Sequence, residues 1–192
     1  AAGTGAIRFN GGTLTMSGSG QPTYANALTI NSNGTINSAG GNNNIVSGTW
    51  SGSSSATLNI NVASGTFTIG GNMTGFPGQV ALGTSGGTFR FNGSSGSANT
   101  AFDLGTGTAT LNNRNGVTVT LGALSGGSGT FLSGAGANNA PSFYIVGGKN
   151  LNTTFAGKIL DANSVRTTTI TKVGTGIWTL TGSNTFSGTT TV

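Results

Sequence analysis

Two carboxylates, Asp103 and Asp161, are the whole acidic inventory of this 192-residue chain, which has neither His nor Cys. Cleaving a polysaccharide normally takes a pair of carboxyl groups held about 5 to 10 Å apart. Asp103 sits in Phe102-Asp103-Leu104, where strand alternation puts it on an outer face, and Asp161 follows Ile159-Leu160 in a turn. More than one coil separates them, so no such pair is expected. Ser-His-Asp triads, Cys nucleophiles and the usual zinc sites lack their residues altogether. Calcium would need several carboxylates, and Gly126-Gly127-Ser128-Gly129 does not open a helix as a phosphate loop must. The sequence therefore predicts no catalytic, cofactor-binding or metal-binding residue, no cofactor and no enzyme.

Charge and aromatic residues offer binding chemistry instead. Seven Lys and Arg against two acids give a formal net charge of +5, which favours anionic partners such as an acidic polysaccharide. Lys149, Lys158, Arg166 and Lys172 all fall near the C-terminus and could share a surface. The cations are nonetheless sparse, without a basic run or interleaved aromatics, and that argues against specific nucleic-acid binding. Tyr24, Trp50 and Tyr144 are the candidate sugar platforms, with Trp50 expected to point inward. Thr-x-Thr pairs such as Thr66-Phe67-Thr68 could form an ice-binding array, but threonine is also an ordinary exposed strand residue.

The elements that carry these residues repeat. Gly-Thr followed by Leu14, Ile36, Trp50, Phe67, Phe89, Ala109 or Phe131 occurs seven times, with steps of 22, 14, 17, 22, 20 and 22 residues between the glycines. A near-constant period of this length marks a solenoid whose units bury their apolar faces against one another. A second apolar strand, such as Leu28-Thr29-Ile30 or Val80-Ala81-Leu82, usually precedes the motif. Asn-Gly, Gly-Gly and Ser-Gly pairs between them supply the corners.

Within the strands the period is two. In Thr88-Phe89-Arg90-Phe91 the phenylalanines point inward while Arg90 faces water. Stacking in register predicts that residues 14, 36, 50, 67, 89, 109 and 131 form one internal ladder spaced by about 4.8 Å, with Ala109 its weak rung. A disordered Gly/Ser-rich linker is the competing reading, because Gly accounts for 37 residues and charged residues for only 5%. The 41 Ile, Leu, Val and Phe are arranged in alternating triplets, which favours strands over disorder. No ten-residue amphipathic stretch suggests a helix, and no apolar run of about 18 residues suggests a membrane span.

The last coil carries a recognisable pattern. Thr171-Lys172-Val173-Gly174-Thr175-Gly176-Ile177-Trp178-Thr179-Leu180, followed by Gly182-Ser183-Asn184-Thr185-Phe186-Ser187-Gly188-Thr189-Thr190, resembles the autotransporter-associated β-strand repeat. Leu121-Gly122-Ala123-Leu124-Ser125-Gly126 and Thr154-Phe155-Ala156-Gly157 extend a weaker likeness upstream. The resemblance implies a right-handed parallel β-helix of the pectin-lyase-like type, exported from a Gram-negative bacterium as part of a surface or passenger region. It implies structural rather than catalytic residues: Gly174, Gly176, Trp178, Leu180, Asn184, Phe186 and Gly188 would form the repeat.

The organisation expected is thus a single all-β solenoid domain over 1–192, with the repeat at 171–192. Ala1-Ala2-Gly3 begins no signal peptide, as expected of a mature or excised segment. Strand-like sequence near both ends makes Ile7, Phe9, Thr189, Thr191 and Val192 candidate assembly edges. The functional expectation is an extracellular structural subunit or fibre segment that stacks head to tail on itself or on adjoining segments of a larger surface protein. An adhesin passenger that binds glycan or another surface is the alternative.

Overall fold

Strands of two to eight residues, separated by Gly, Ser and Asn corners, wind into a parallel β-solenoid of about eight turns in the computed structural model. The structure describes residues 3–18, 20–39, 41, 43–114, 116–136 and 138–192, and no helix occurs among them. Every strand pair is parallel, and register partners lie a little over twenty positions apart, as in Leu14 with Ile36 and Phe67 with Phe89. Among the described residues each turn therefore hydrogen-bonds to the next.

A turn has three faces. The first opens with Ile7–Phe9, Leu28–Ile30 and Trp50–Gly52. The second opens with Thr13–Met16, Gly34–Ser38, Thr57–Val62 and Gln79–Ala81. The third runs from Thr23–Tyr24 through Asn43–Val46, Thr66–Ile69, Thr88–Phe91, Thr110–Asn113 and Phe131–Ser133 to Lys158–Leu160.

Two long strands, Gly96–Asp103 and Thr118–Ser125, link the first face to the second. Their C-terminal halves continue the second face, since Val80 pairs with Phe102 and Phe102 with Leu124. Their N-terminal halves lead along the first face to Ser142–Val146, Thr168–Lys172 and Thr190–Thr191. Residues 98–100 stand opposite Gly122 alone, so the ladder bulges where the two faces meet. On the second face the chain continues through the Gly126–Phe155 bridge to Thr153–Phe155 and Trp178–Leu180.

The interior is filled by three inward ladders, not one. Leu14 pairs with Ile36, but Ile36 pairs with Ile60, while Trp50 stacks on Leu28 on the first face. Phe67, Phe89, Leu111, Leu132 and Ile159 form the third-face ladder. The expected single ladder thus fails, because the 14- and 17-residue steps carry the Gly-Thr motif from the second face to the first and then to the third. Ala109 is buried just ahead of its strand, and Phe131 pairs with Thr110 and is only partly buried. Leu111 and Leu132 occupy the inward places that Ala109 and Phe131 were expected to fill.

Aromatic packing thickens the middle coils. Phe89 lies 6.0 Å from Phe67 and 5.5 Å from Phe91, and Phe91 meets Phe102 edge-on at 5.7 Å. Burying one such ring stabilises by roughly 1.5–3 kcal/mol, and aromatic pairing adds about 1 kcal/mol. Polar side chains inside the stack are bonded to one another. Asn113 continues the inward row Val46, Ile69, Phe91, accepts from Ser142 Oγ at 2.9 Å and donates Nδ2–H to the Val117 carbonyl at 2.8 Å.

Candidate functional site

The carboxylates hold turns. Asp103 is half-buried on its strand and accepts the Gly105 N–H at 3.0 Å. Asp161 accepts the Thr168 N–H at 2.7 Å through one oxygen, and the Ser187 N–H at 2.9 Å and Ser187 O–H at 2.6 Å through the other. Asp161 thus uses three acceptor sites on later segments and Asp103 one on its own turn, which is a structural use of both carboxylates. Three or more His, Cys, Asp or Glu gathered in metal-binding geometry do not occur among the described residues.

The four C-terminal cations are divided among different places instead of forming one patch. Lys149 Nζ donates to the Pro77 carbonyl, 72 positions earlier, and burial lowers its pKa. Lys172 Nζ donates to the Val173 and Gly174 carbonyls at 2.7 and 3.2 Å. Lys158 opens a third-face strand, whereas Arg166 lies in the turn that returns the chain to the first face. Two of the three ammonium groups are thus occupied by backbone acceptors.

Of the three aromatic platform candidates, Trp50 and Tyr144 are interior. Tyr144 donates its hydroxyl to the Ser133 carbonyl at 2.7 Å, and burial pushes its pKa well above the usual tyrosine range. Tyr24 is partly covered and lines the opening of the first turn with Leu14, Pro22 and Asn26, around a cavity of about 840 Å³. The Thr-x-Thr positions do not form a uniform outer lattice either. Thr68 pairs with Ile45 and Arg90, and Thr118 pairs with Phe143.

The C-terminal motif carries a cluster of directed contacts that seat one turn on another. Gly174 adopts φ +74°, and its N–H neighbour Thr175 donates to Asn150 Oδ1 at 2.8 Å. Ile177 N–H donates to Asn152 Oδ1 at 2.8 Å in the same manner. Gly176 lies against the Leu151 carbonyl, Gly182 against the Gly157 carbonyl and Gly188 against the Thr168 carbonyl, each at a separation that leaves no room for a Cβ. Asn184 Oδ1 accepts the Ile159 N–H at 2.8 Å, so it is bonded to the backbone of the preceding turn.

Two rings complete the seat. Trp178 stacks obliquely on Phe155 at 6.5 Å and sends its indole N–H to the Leu124 carbonyl at 3.0 Å. Phe186 is partly buried and also packs against the core. Leu180 completes the strand but is 37% exposed, and Ile177 is 65% exposed. With Ile170, Trp178, Phe186 and Val192 they line a largely apolar cavity of about 400 Å³ on the outer side of this turn.

Of the candidate edges, Thr191 pairs with Thr171 and the Thr189 carbonyl accepts the Ile170 N–H, so both already bond inward to the previous turn. Ile7 and Phe9 pair with Leu28 and Ile30. Val192 is nearly fully exposed. Asparagine side chains also bond between turns, in the stacked amide ladders that exposed Asn residues suggest. Asn61 donates to Asn37 and Asn31 to Asn10, both at 2.8 Å. A spacing of one turn between Asn residues was the available signal.

Residues 170–192 match the model of the passenger-associated-transport-repeat family. The segment with the dense seating contacts is therefore an autotransporter passenger repeat. A comparison with curated proteins and with solved structures gives no match.

Proposed function

We propose that the chain is a rod-forming structural segment of a bacterial surface protein, located outside a Gram-negative cell and lengthened by stacking one solenoid turn on another. The passenger repeat and the β-solenoid support a surface passenger-like structural role. The observation that carries the finer reading is the surface of the repeat turn. Ile177, Leu180 and Val192 leave an apolar cavity there, whereas Leu58, Phe89 and Leu124, at comparable inward places, are closed over by the following turn. A further turn of the same type fits that surface, because a parallel strand edge recruits another strand through its free N–H and C=O groups. In the purified chain that turn comes from the first coil of a second copy, giving a head-to-tail contact that does not close.

Nothing in this role requires turnover, and the proposed reading is non-enzymatic. Sedimentation velocity and electron microscopy over rising protein concentration test the assembly. Rods longer than one chain are expected, and Ile177→Lys with Leu180→Lys should return single-chain particles with an unchanged circular dichroism spectrum, since both side chains are exposed. Monodisperse single chains at millimolar concentration would overturn self-stacking. Should those single chains also bind glycans on an array, the adhesin reading would replace it.

A further inference from the structure

A second feature, unrelated to the stacking surface, lies where the third face hands the chain back to the first. Arg90 projects outward between the inward rings of Phe89 and Phe91 and is partly buried. Its Nε–H donates to Asn112 Oδ1 on the next turn at 3.1 Å, which fixes the plane of the guanidinium. Gly136 lies over that plane, so close that a Cβ there would stand 2.8 Å from one terminal nitrogen. Alanine or anything larger at this position would push the guanidinium aside.

Two more arginines have their backbone at the same corner. Arg114 is exposed and follows Asn113, whose carbonyl accepts the Gly136 N–H at 2.6 Å. Burial first, and the charge of Arg114 second, lower the pKa of Arg90, so the two cations lie within electrostatic reach. Arg166 brings its backbone carbonyl against Gly134, two residues before Gly136, and its buried Nε has no hydrogen-bond partner.

Among the described residues no carboxylate of the protein pairs directly with them. Asp103 is engaged by Gly105, and Asp161 by Thr168 and Ser187. Among the described residues none of the three arginines makes an ion pair. Like charges gathered on one corner oppose folding, and a planar fork of donors matches the oxygens of a sulfate, phosphate or carboxylate.

We propose that Arg90, Arg114 and Arg166 form a binding corner for an oxyanion group carried on an acidic polysaccharide. Arg90, held by Asn112 and covered by Gly136, is the preorganised member. Arg114 and Arg166 add charge from either side of the 134–136 turn. The proposal is independent of the stacking surface, which lies on the last turn and is apolar.

Dextran sulfate is the probe, with neutral dextran as its control and binding followed by titration calorimetry at low salt. Arg114→Gln and Arg166→Gln should each weaken binding about tenfold, the loss of one charge-assisted contact. Arg8→Gln removes the same charge at a distant exposed position and should change it less than about twofold. Arg90→Lys keeps the charge but not the fork, and should weaken binding nearly as much as Arg114→Gln. Sodium sulfate should displace the polymer better than sodium chloride of equal ionic strength. Equal losses for Arg8→Gln and Arg114→Gln, equal competition by chloride, or no binding of dextran sulfate would each overturn the proposal. Arg114 is exposed, so its variant keeps the test decisive even if Arg90→Lys disturbs the fold.

Discussion

Trp178 donates its indole N–H to the carbonyl of Leu124, 54 positions earlier, at 3.0 Å. Neighbouring turns in this solenoid are joined by partners a little over twenty residues apart, so this bond reaches past the adjacent turn to the one below it. The passenger repeat is thereby tied to two turns at once. Trp178→Phe keeps most of the ring and its contact with Phe155 while leaving the Leu124 carbonyl without this donor. A loss of about 1 kcal/mol is expected, read as a lower denaturant midpoint with an unchanged slope.

Gly182 tests the close approach of successive backbones. Its Cα lies against the Gly157 carbonyl, where a Cβ would overlap backbone oxygen that cannot rotate away. Gly182→Ala should lift the last turn off its seat while the turns below stay intact. Hydrogen exchange should show it: amides of Trp178–Leu180 lose protection, and those of Thr88–Phe91 keep theirs. Uniform loss across both strands would mean that the turns unfold as one unit.

The same geometry explains how far the sequence could be read. The strand type, the parallel stacking and the seat of the C-terminal motif follow from Gly-Thr-apolar triplets and from a known repeat pattern, both local signals. The ladder assignment failed because faces are chosen by pairing between turns. Trp50 obeys the same triplet rule as Ile36, yet pairs with Leu28 on another face. The uneven step from Gly34 to Gly48 is the trace of that switch. Arg90 looked like a solvated strand residue, since neither the covering Gly136 nor the nearby Arg114 is adjacent to it in sequence. Their closeness comes only from the winding of the coil.

Asp161 holds the turn after Leu160 to two later segments through Thr168 and Ser187. Asp161→Ala leaves the Thr168 N–H, part of a fully buried residue, without its acceptor. Hydrogen bonds to a charged acceptor contribute about 1.5–3 kcal/mol each, less where solvent can replace the partner as at Ser187. A destabilisation of about 2 kcal/mol is expected for Asp161→Ala. Asp161→Asn, which keeps one acceptor oxygen, should recover part of it in the same denaturant titration.

Tyr144 gives the fold an alkaline limit. Its hydroxyl is buried and donates to the Ser133 carbonyl, and burial raises its pKa above the ordinary value of 10.0. In the unfolded chain the phenol loses its proton near pH 10, while in the folded chain it stays protonated to higher pH. The unfolded state therefore binds fewer protons in that interval, and stability falls as pH rises through it. Below the unfolded value this contribution is complete and independent of pH. Monitoring phenolate absorbance together with circular dichroism should show Tyr144 ionising only as β structure is lost. Tyr144→Phe should be less stable at neutral pH by about 1 kcal/mol, but its stability should decline less steeply above pH 10. A phenolate signal from Tyr144 while the spectrum remains native would show that the interior admits solvent at this turn.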